Sequence, residues 1–197
     1  MGLAAVQARI AELQSVLAPP PRPTTTSFAG TLGVNAAALV GAPTTVPITA
    51  GTPAGQAMLN TVRNEVGQAE QPPGSNDSPR IAQYRQATAG SGVGPWCAYF
   101  TSWAARESGV PLGDMGQGFG RVDDVWSWAE RSGKAIPAGL GAPQPGDLIV
   151  WDEHIGIVES VGADGSVQTI EGNSSDSVAR RNYGPDGGGA VGYVRLG

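Results

Sequence analysis

The chain has 197 residues, a net charge of −5 and a pI near 4.8, which is enough chain for one ordinary domain with appendages. Its acidic balance excludes long-range attraction to nucleic acid, anionic lipid or other anionic polymers. One Cys and one His exclude an internal disulfide and a Cys/His metal cluster.

In residues 1–18, Leu3, Val6, Ile10, Leu13 and Leu17 recur at spacings of three and four, which predicts an amphipathic helix. Isolated helices of that length are marginal in water, so docking on its own domain or self-association with a second copy is expected. The polar face is too weakly basic for a membrane role. No apolar run approaches the roughly 20 residues of a membrane span, and no basic segment leads into an apolar block, so a soluble protein without a Sec signal is expected. Residues 19–54 hold seven prolines, many Thr, Ala and Gly, and Arg22 as the only charge; they read as a linker.

Residues 55–197 read as one folded domain. Ala57, Leu59, Val62 and Val66 predict a first helix ended by Pro72-Pro73-Gly74, and Ile81 with Tyr84 marks a short helical turn. A third helix is expected over 95–108, with Gly109 and Pro111 as stop signals. A fourth is expected over 123–132, with Val122, Val125, Trp126 and Ala129 as its buried stripe. Strands are expected at 147–151, 154–161, 166–172, 177–183 and 190–196, with residues 162–165 turning between the second and third. Helices followed by an antiparallel meander predict an α+β domain with the helices packed on a sheet.

Two residues in this frame suit nucleophilic chemistry. Cys97 falls in the first turn of the third helix, where unpaired N–H groups and the positive dipole end favour a thiolate. His154 opens the second strand and is the only side chain available as a neutral-pH base. With a four-residue turn, Val161 opposes Ser166; counting outward, His154 opposes Asn173, and Glu171 lies on the same face two places along. One of these two polar groups can then hold the second imidazole N–H. A carboxylate supports an imidazolium better than a neutral amide, which favours Glu171. Trp96 and Trp151 adjoin the nucleophile and the base, where they either wall a groove for sugar or peptide or belong to the core.

Pro95-Trp96-Cys97-Ala98-Tyr99-Phe100, Ser102-Trp103, Gln144-Pro145-Gly146-Asp147-Leu148-Ile149, His154-Ile155-Gly156-Ile157-Val158 and Glu171-Gly172-Asn173 together resemble the CHAP domain, the cysteine, histidine-dependent amidohydrolase/peptidase family. The likeness reaches upstream through Glu70-Gln71-Pro72-Pro73-Gly74 and Pro79-Arg80-Ile81 to Tyr84, covering roughly residues 57 to 195.

The resemblance implies a papain-like α+β fold and hydrolysis of peptidoglycan without a cofactor. The target is either the amide joining N-acetylmuramic acid to L-Ala or one within the stem and bridge peptides. It implies Cys97 as nucleophile, His154 as general base and then acid, and Glu171 and Asn173 behind or beside the imidazole. Some relatives carry an Asp-rich calcium loop ahead of the cysteine, whereas residues 74–79 offer the single carboxylate Asp77, so no metal is expected. A catalytically silent wall-binding scaffold and a transamidase on the same fold are the rival readings. The amino-terminal arm resembles those of wall hydrolases associated with actinobacterial flagella, which implies action at the cell wall after export by a route other than Sec; a phage endolysin or a secreted effector would also fit.

Overall fold

The computed structural model describes residues 51–197. The amino-terminal helix expected over 1–18 and the linker as far as residue 50 lie outside the described residues. Helix α1 (Pro53–Val62) begins where Thr52 accepts a hydrogen bond from the Gly55 amide at 3.0 Å and proline occupies the first helical position. Thr52 Oγ1 also donates to the Leu196 carbonyl at 2.6 Å, so residues 52–54 belong to the folded unit rather than to a linker. A 3-10 turn (Arg63–Glu65) follows, and Val66 leaves the helical conformation with ψ 125°. The first helix therefore stops before Val66 and well short of the prolines expected to end it.

Helix α2 (Pro79–Arg85) is capped by Ser78 and buries Ile81 and Tyr84. Helix α3 (Cys97–Glu107) is buried continuously from Cys97 to Ala105, as befits a helix enclosed on every side. Helix α4 (Val122–Arg131) buries Val122, Val125, Trp128 and Ala129. Trp128 thus replaces the expected Trp126, which is only half-buried. The Trp128 indole N–H donates to Asp114 Oδ1 at 3.1 Å and its ring tilts against Phe119, an anchorage that helical spacing does not reveal.

Strands β1 (Ala135–Pro137), β2 (Leu148–Val150), β3 (Ile155–Val161), β4 (Val167–Glu171), β5 (Ala179–Tyr183) and β6 (Gly192–Val194) form one antiparallel sheet in the order β1-β6-β2-β3-β4-β5. The domain is α+β. Strands β2 to β5 are the expected meander with shorter ends, whereas β6 crosses back to lie between β2 and the unexpected β1. Leu148, Ile155, Ile157 and Ile170 face the helices, while Ile149, Val158 and Val167 face the other way and meet Ala190 and Tyr193. Alternation along each strand therefore feeds two apolar clusters.

Two motifs from the sequence have structural explanations. Gly146 (φ +91°) lies so close to α1 that a Cβ there would sit 2.2 Å from Gly55 Cα; only glycine lets these backbones touch. Asp147 beside it is 2% exposed and accepts two bonds from Arg195, Nε at 2.9 Å and Nη2 at 2.7 Å. This paired contact ties the start of β2 to the last residues of the chain.

The β3–β4 register departs from expectation twice. Val161 faces Val167 rather than Ser166, so the turn is one residue longer than the four assigned to it. Between Val158↔Thr169 and Ser160↔Gln168, Glu159 has no partner across the ladder, and this bulge restores the count. Ile157 faces Ile170, as a four-residue turn without a bulge would also give. The bulged Glu159 carboxylate is held by Arg63 Nε at 3.0 Å and Arg180 Nε at 2.6 Å.

Candidate active site

Cys97 is the first residue of α3, a free thiol 5% exposed. The residue before it, Trp96, supplies no side-chain cap. A Ser or Asp there would occupy an amide of the first turn; the indole leaves those N–H groups, and the positive end of the helix, to the sulfur and to anything bound beside it.

Two glycines bring the end of β4 to this helix start. A Cβ on Gly172 would lie 2.6 Å from Phe100 Cβ and 2.9 Å from Trp96 Cζ3, so only glycine packs there. A Cβ on Gly156 would lie 2.6 Å from Glu171 Cγ. Its absence leaves room for the Glu171 side chain against β3, within reach of His154.

His154 Nε2 and Glu171 Oε2 are 2.9 Å apart. With an ionised carboxylate as acceptor, Nε2 carries the proton and Nδ1 is the nitrogen left for Cys97. Glu171 is 1% exposed; its other oxygen, Oε1, accepts from Thr169 Oγ1 at 2.5 Å and Tyr183 Oη at 2.9 Å. Burial pushes the Glu171 carboxyl up, but the bonds from His154, Thr169 and Tyr183 overcome it and hold the group below the usual carboxylate range. Burial likewise pushes His154 down, and its neighbours Cys97 and Glu171 outweigh burial, raising the imidazole to about 9. With that pKa the imidazole holds its proton at neutral pH.

The sequence residues separate into groups. Cys97, His154 and Glu171 come together. Continuing the ladder puts Asn173 opposite His154, yet Asn173 has left the strand conformation (φ +58°), and among the described residues no hydrogen bond joins its side chain to the imidazole. Of the two placements open to Trp96, it takes the one in the core. It is fully buried, stacks on Tyr84 with centroids 5.9 Å apart and donates to Glu70 Oε1 at 2.9 Å, so it walls no groove. Trp151 is half-buried, its ring 5.6 Å from that of His154 and 5.0 Å from that of Tyr183, with its N–H donating to the Gly187 carbonyl at 2.9 Å. Tyr183 and Thr169 were not singled out from the sequence. Thr169 stands two places before Glu171 on the same strand and so on the same face, whereas only the β4–β5 register brings Tyr183 to that face.

A cleft of about 480 Å³ opens beside Cys97, bordered by Pro95, Tyr99, Arg121, Asp152 and Glu153 among others. Asp77, the one carboxylate of the 74–79 loop, pairs with Arg85 Nη1 at 3.2 Å. Among the described residues no group of three or more His, Cys, Asp or Glu side chains is placed to hold a metal ion.

Residues 88–173 match the family model of the CHAP domain. The chain contains a CHAP domain. The match runs from just before Cys97 through His154 and Glu171 to Asn173. No significant match is found among curated proteins or solved structures. A CHAP domain points in general to hydrolase activity of the amidase or peptidase kind on peptidoglycan, at the cell wall. Among the described residues no helix is long and apolar enough to cross a membrane.

Proposed function

We propose that this CHAP domain hydrolyses an amide bond of peptidoglycan through a thioester on Cys97, with His154 as proton carrier and Glu171 as the carboxylate that orients it. The observation that carries this reading is the buried Glu171 carboxylate 2.9 Å from His154 Nε2, on the far side of a ring whose other nitrogen is left for Cys97. The Cys97 thiolate attacks the scissile carbonyl carbon. The resulting oxyanion takes hydrogen bonds from the uncapped amides at the start of α3, Cys97 N–H included. His154, already protonated, gives its proton to the leaving nitrogen as the C–N bond breaks, and the thioester remains. Now neutral, the imidazole takes a proton from water; the hydroxide attacks the thioester, the acid product leaves and the thiolate–imidazolium pair returns. The base role assigned to His154 thus belongs to the second half of the cycle.

In this reading the half-buried Trp151 borders the substrate beside His154, and Asn173 lines the same end of β4. The amino-terminal arm motivates a narrower role, opening the wall for a growing flagellar rod. Deleting residues 1–50 tests it: motility should fall while hydrolysis of isolated peptidoglycan stays intact, and unchanged motility refutes it.

Mass spectrometry of purified peptidoglycan digested with wild type and with Cys97→Ala tests the chemistry. A new amino terminus on L-Ala identifies an amidase, and one inside the stem or bridge an endopeptidase. Undiminished digestion by Cys97→Ala, or none by wild type, overturns the proposal; the latter outcome fits a silent scaffold.

A further inference from the structure

The carboxylate behind His154 is itself held in place, and the group that holds it also supports the imidazole by a second route. Tyr183, the last residue of β5, donates its hydroxyl to Glu171 Oε1 at 2.9 Å. Its ring packs on Trp151 with centroids 5.0 Å apart, and Trp151 packs in turn on His154 at 5.6 Å. The loop after β5 closes on both aromatic rings. The Gly187 carbonyl accepts the Trp151 N–H at 2.9 Å, and a Cβ on Gly188 would stand 2.5 Å from Tyr183 Cδ1. Gly187, Gly188 and Gly189 all have positive φ, at 63°, 68° and 76°, so this turn needs glycines to lie flat against the tyrosine.

We propose that Tyr183 is a positioning residue of the His154–Glu171 pair, its hydroxyl fixing the second carboxylate oxygen and its ring fixing Trp151 against the imidazole. The inference rests on the hydrolase reading only for its consequence in turnover. A carboxylate 1% exposed keeps its charge only while its lone pairs are met by donors. Oε2 has His154; Oε1 has Tyr183 and Thr169. The charged or titratable groups around Glu171 are His154 at the head of β3, Cys97 beyond the imidazole, and Tyr183 with the neighbouring Arg181 on β5. Of these, Tyr183 is the neutral one that binds the carboxylate directly. The Tyr183 phenol is raised above its ordinary range by burial and by the Glu171 charge, so it remains a donor throughout the working pH range.

His154 is the only histidine of the chain, so its ring signals in an NMR titration of the full-length protein need no assignment. They should report two inflections, an upper one near 9 from the imidazole and a lower one as Glu171 takes a proton. Removing a donor from the ionised carboxylate raises its pKa. Tyr183→Phe keeps the ring on Trp151 and should move the lower inflection up by about one pH unit, the equivalent of one hydrogen bond to a charged group. The acid limb of hydrolysis should move by the same amount. Thr169→Val should shift it in the same direction and Thr169→Ser, which keeps the hydroxyl, should leave it in place. A lower inflection unmoved in a folded Tyr183→Phe protein overturns the proposal, as does an equal shift in Thr169→Ser. The titration decides the role of Tyr183 whether or not the wild type cuts peptidoglycan, so the two proposals fail separately.

Discussion

Glu171 Oε2 lies 2.9 Å from His154 Nε2, and the side chain that carries it is 2% exposed while the imidazole is 30% exposed. A buried anion behind a half-open cation sets the direction of the pair. The carboxylate cannot turn to water, so the imidazole keeps one nitrogen bonded to it and presents the other.

Glu171→Gln keeps the shape and removes the charge. The carboxylate is, with Cys97, one of the two neighbours that raise the imidazole, so its loss should lower His154 from about 9. The alkaline limb of the pH-rate profile should move down with it. At neutral pH kcat should fall roughly tenfold or more with KM little changed, the pattern of a group acting in the transition state. Asn173→Ala should be the milder change; if it is the more damaging one and Glu171→Gln is nearly silent, Asn173 is the orienting residue.

The raised pKa of His154 also makes a statement about stability. A group whose folded pKa lies above its unfolded value stabilises fully below the unfolded value and loses that contribution as pH rises through the folded one. The window here runs from about 6.5 to about 9. Melting temperatures of wild type and His154→Gln should differ most near pH 6 and converge by pH 10. A gap that widens with rising pH contradicts the assignment.

Gly156→Ala adds one methyl group where Glu171 Cγ would be 2.6 Å away. Overpacking of this kind costs about 1–3 kcal/mol, and here the neighbour that must give way is the orienting carboxylate. Activity should fall at least about tenfold, since small misplacements of a catalytic group are costly, while the fold survives by circular dichroism. Full activity in Gly156→Ala would show that Glu171 has slack this geometry denies it.

Arg195→Met separates stability from catalysis. It strands Asp147, 2% exposed, without the guanidinium that now binds both of its oxygens, a kind of loss that costs roughly 3–5 kcal/mol for buried pairs. Denaturant midpoints should drop sharply, with kcat of the remaining folded protein unchanged. A stable Arg195→Met protein would mean that water or the Gln144 amide, 2.8 Å from Oδ2, suffices for Asp147.

Local pattern carried the helices, the meander and the proximity of His154 to Glu171, because each depends on periodicity or on neighbours joined by one short turn. The count that placed His154 near Glu171 reached the right register through two departures that cancel, a longer turn and the bulge at Glu159. Nothing local announces such a bulge, since Glu159 owes its burial to Arg63 and Arg180 from distant segments. Strand β1 is three residues long and β6 pairs across the sheet, so both depend on partners remote in sequence. Trp96 illustrates the same limit. An indole anchored by its N–H to Glu70 is indistinguishable, in a string of letters, from one that lines a groove.

The bond from Thr52 to the Leu196 carbonyl makes the folded unit a cassette with a common doorway. Its first and last residues meet, so the unit can be spliced into a longer chain without spreading its ends. A pull exerted through flanking segments on either side would enter and leave at that doorway. The traction would fall on the seam between α1 and the tail after β6, and Cys97 and His154 would remain out of the line of tension.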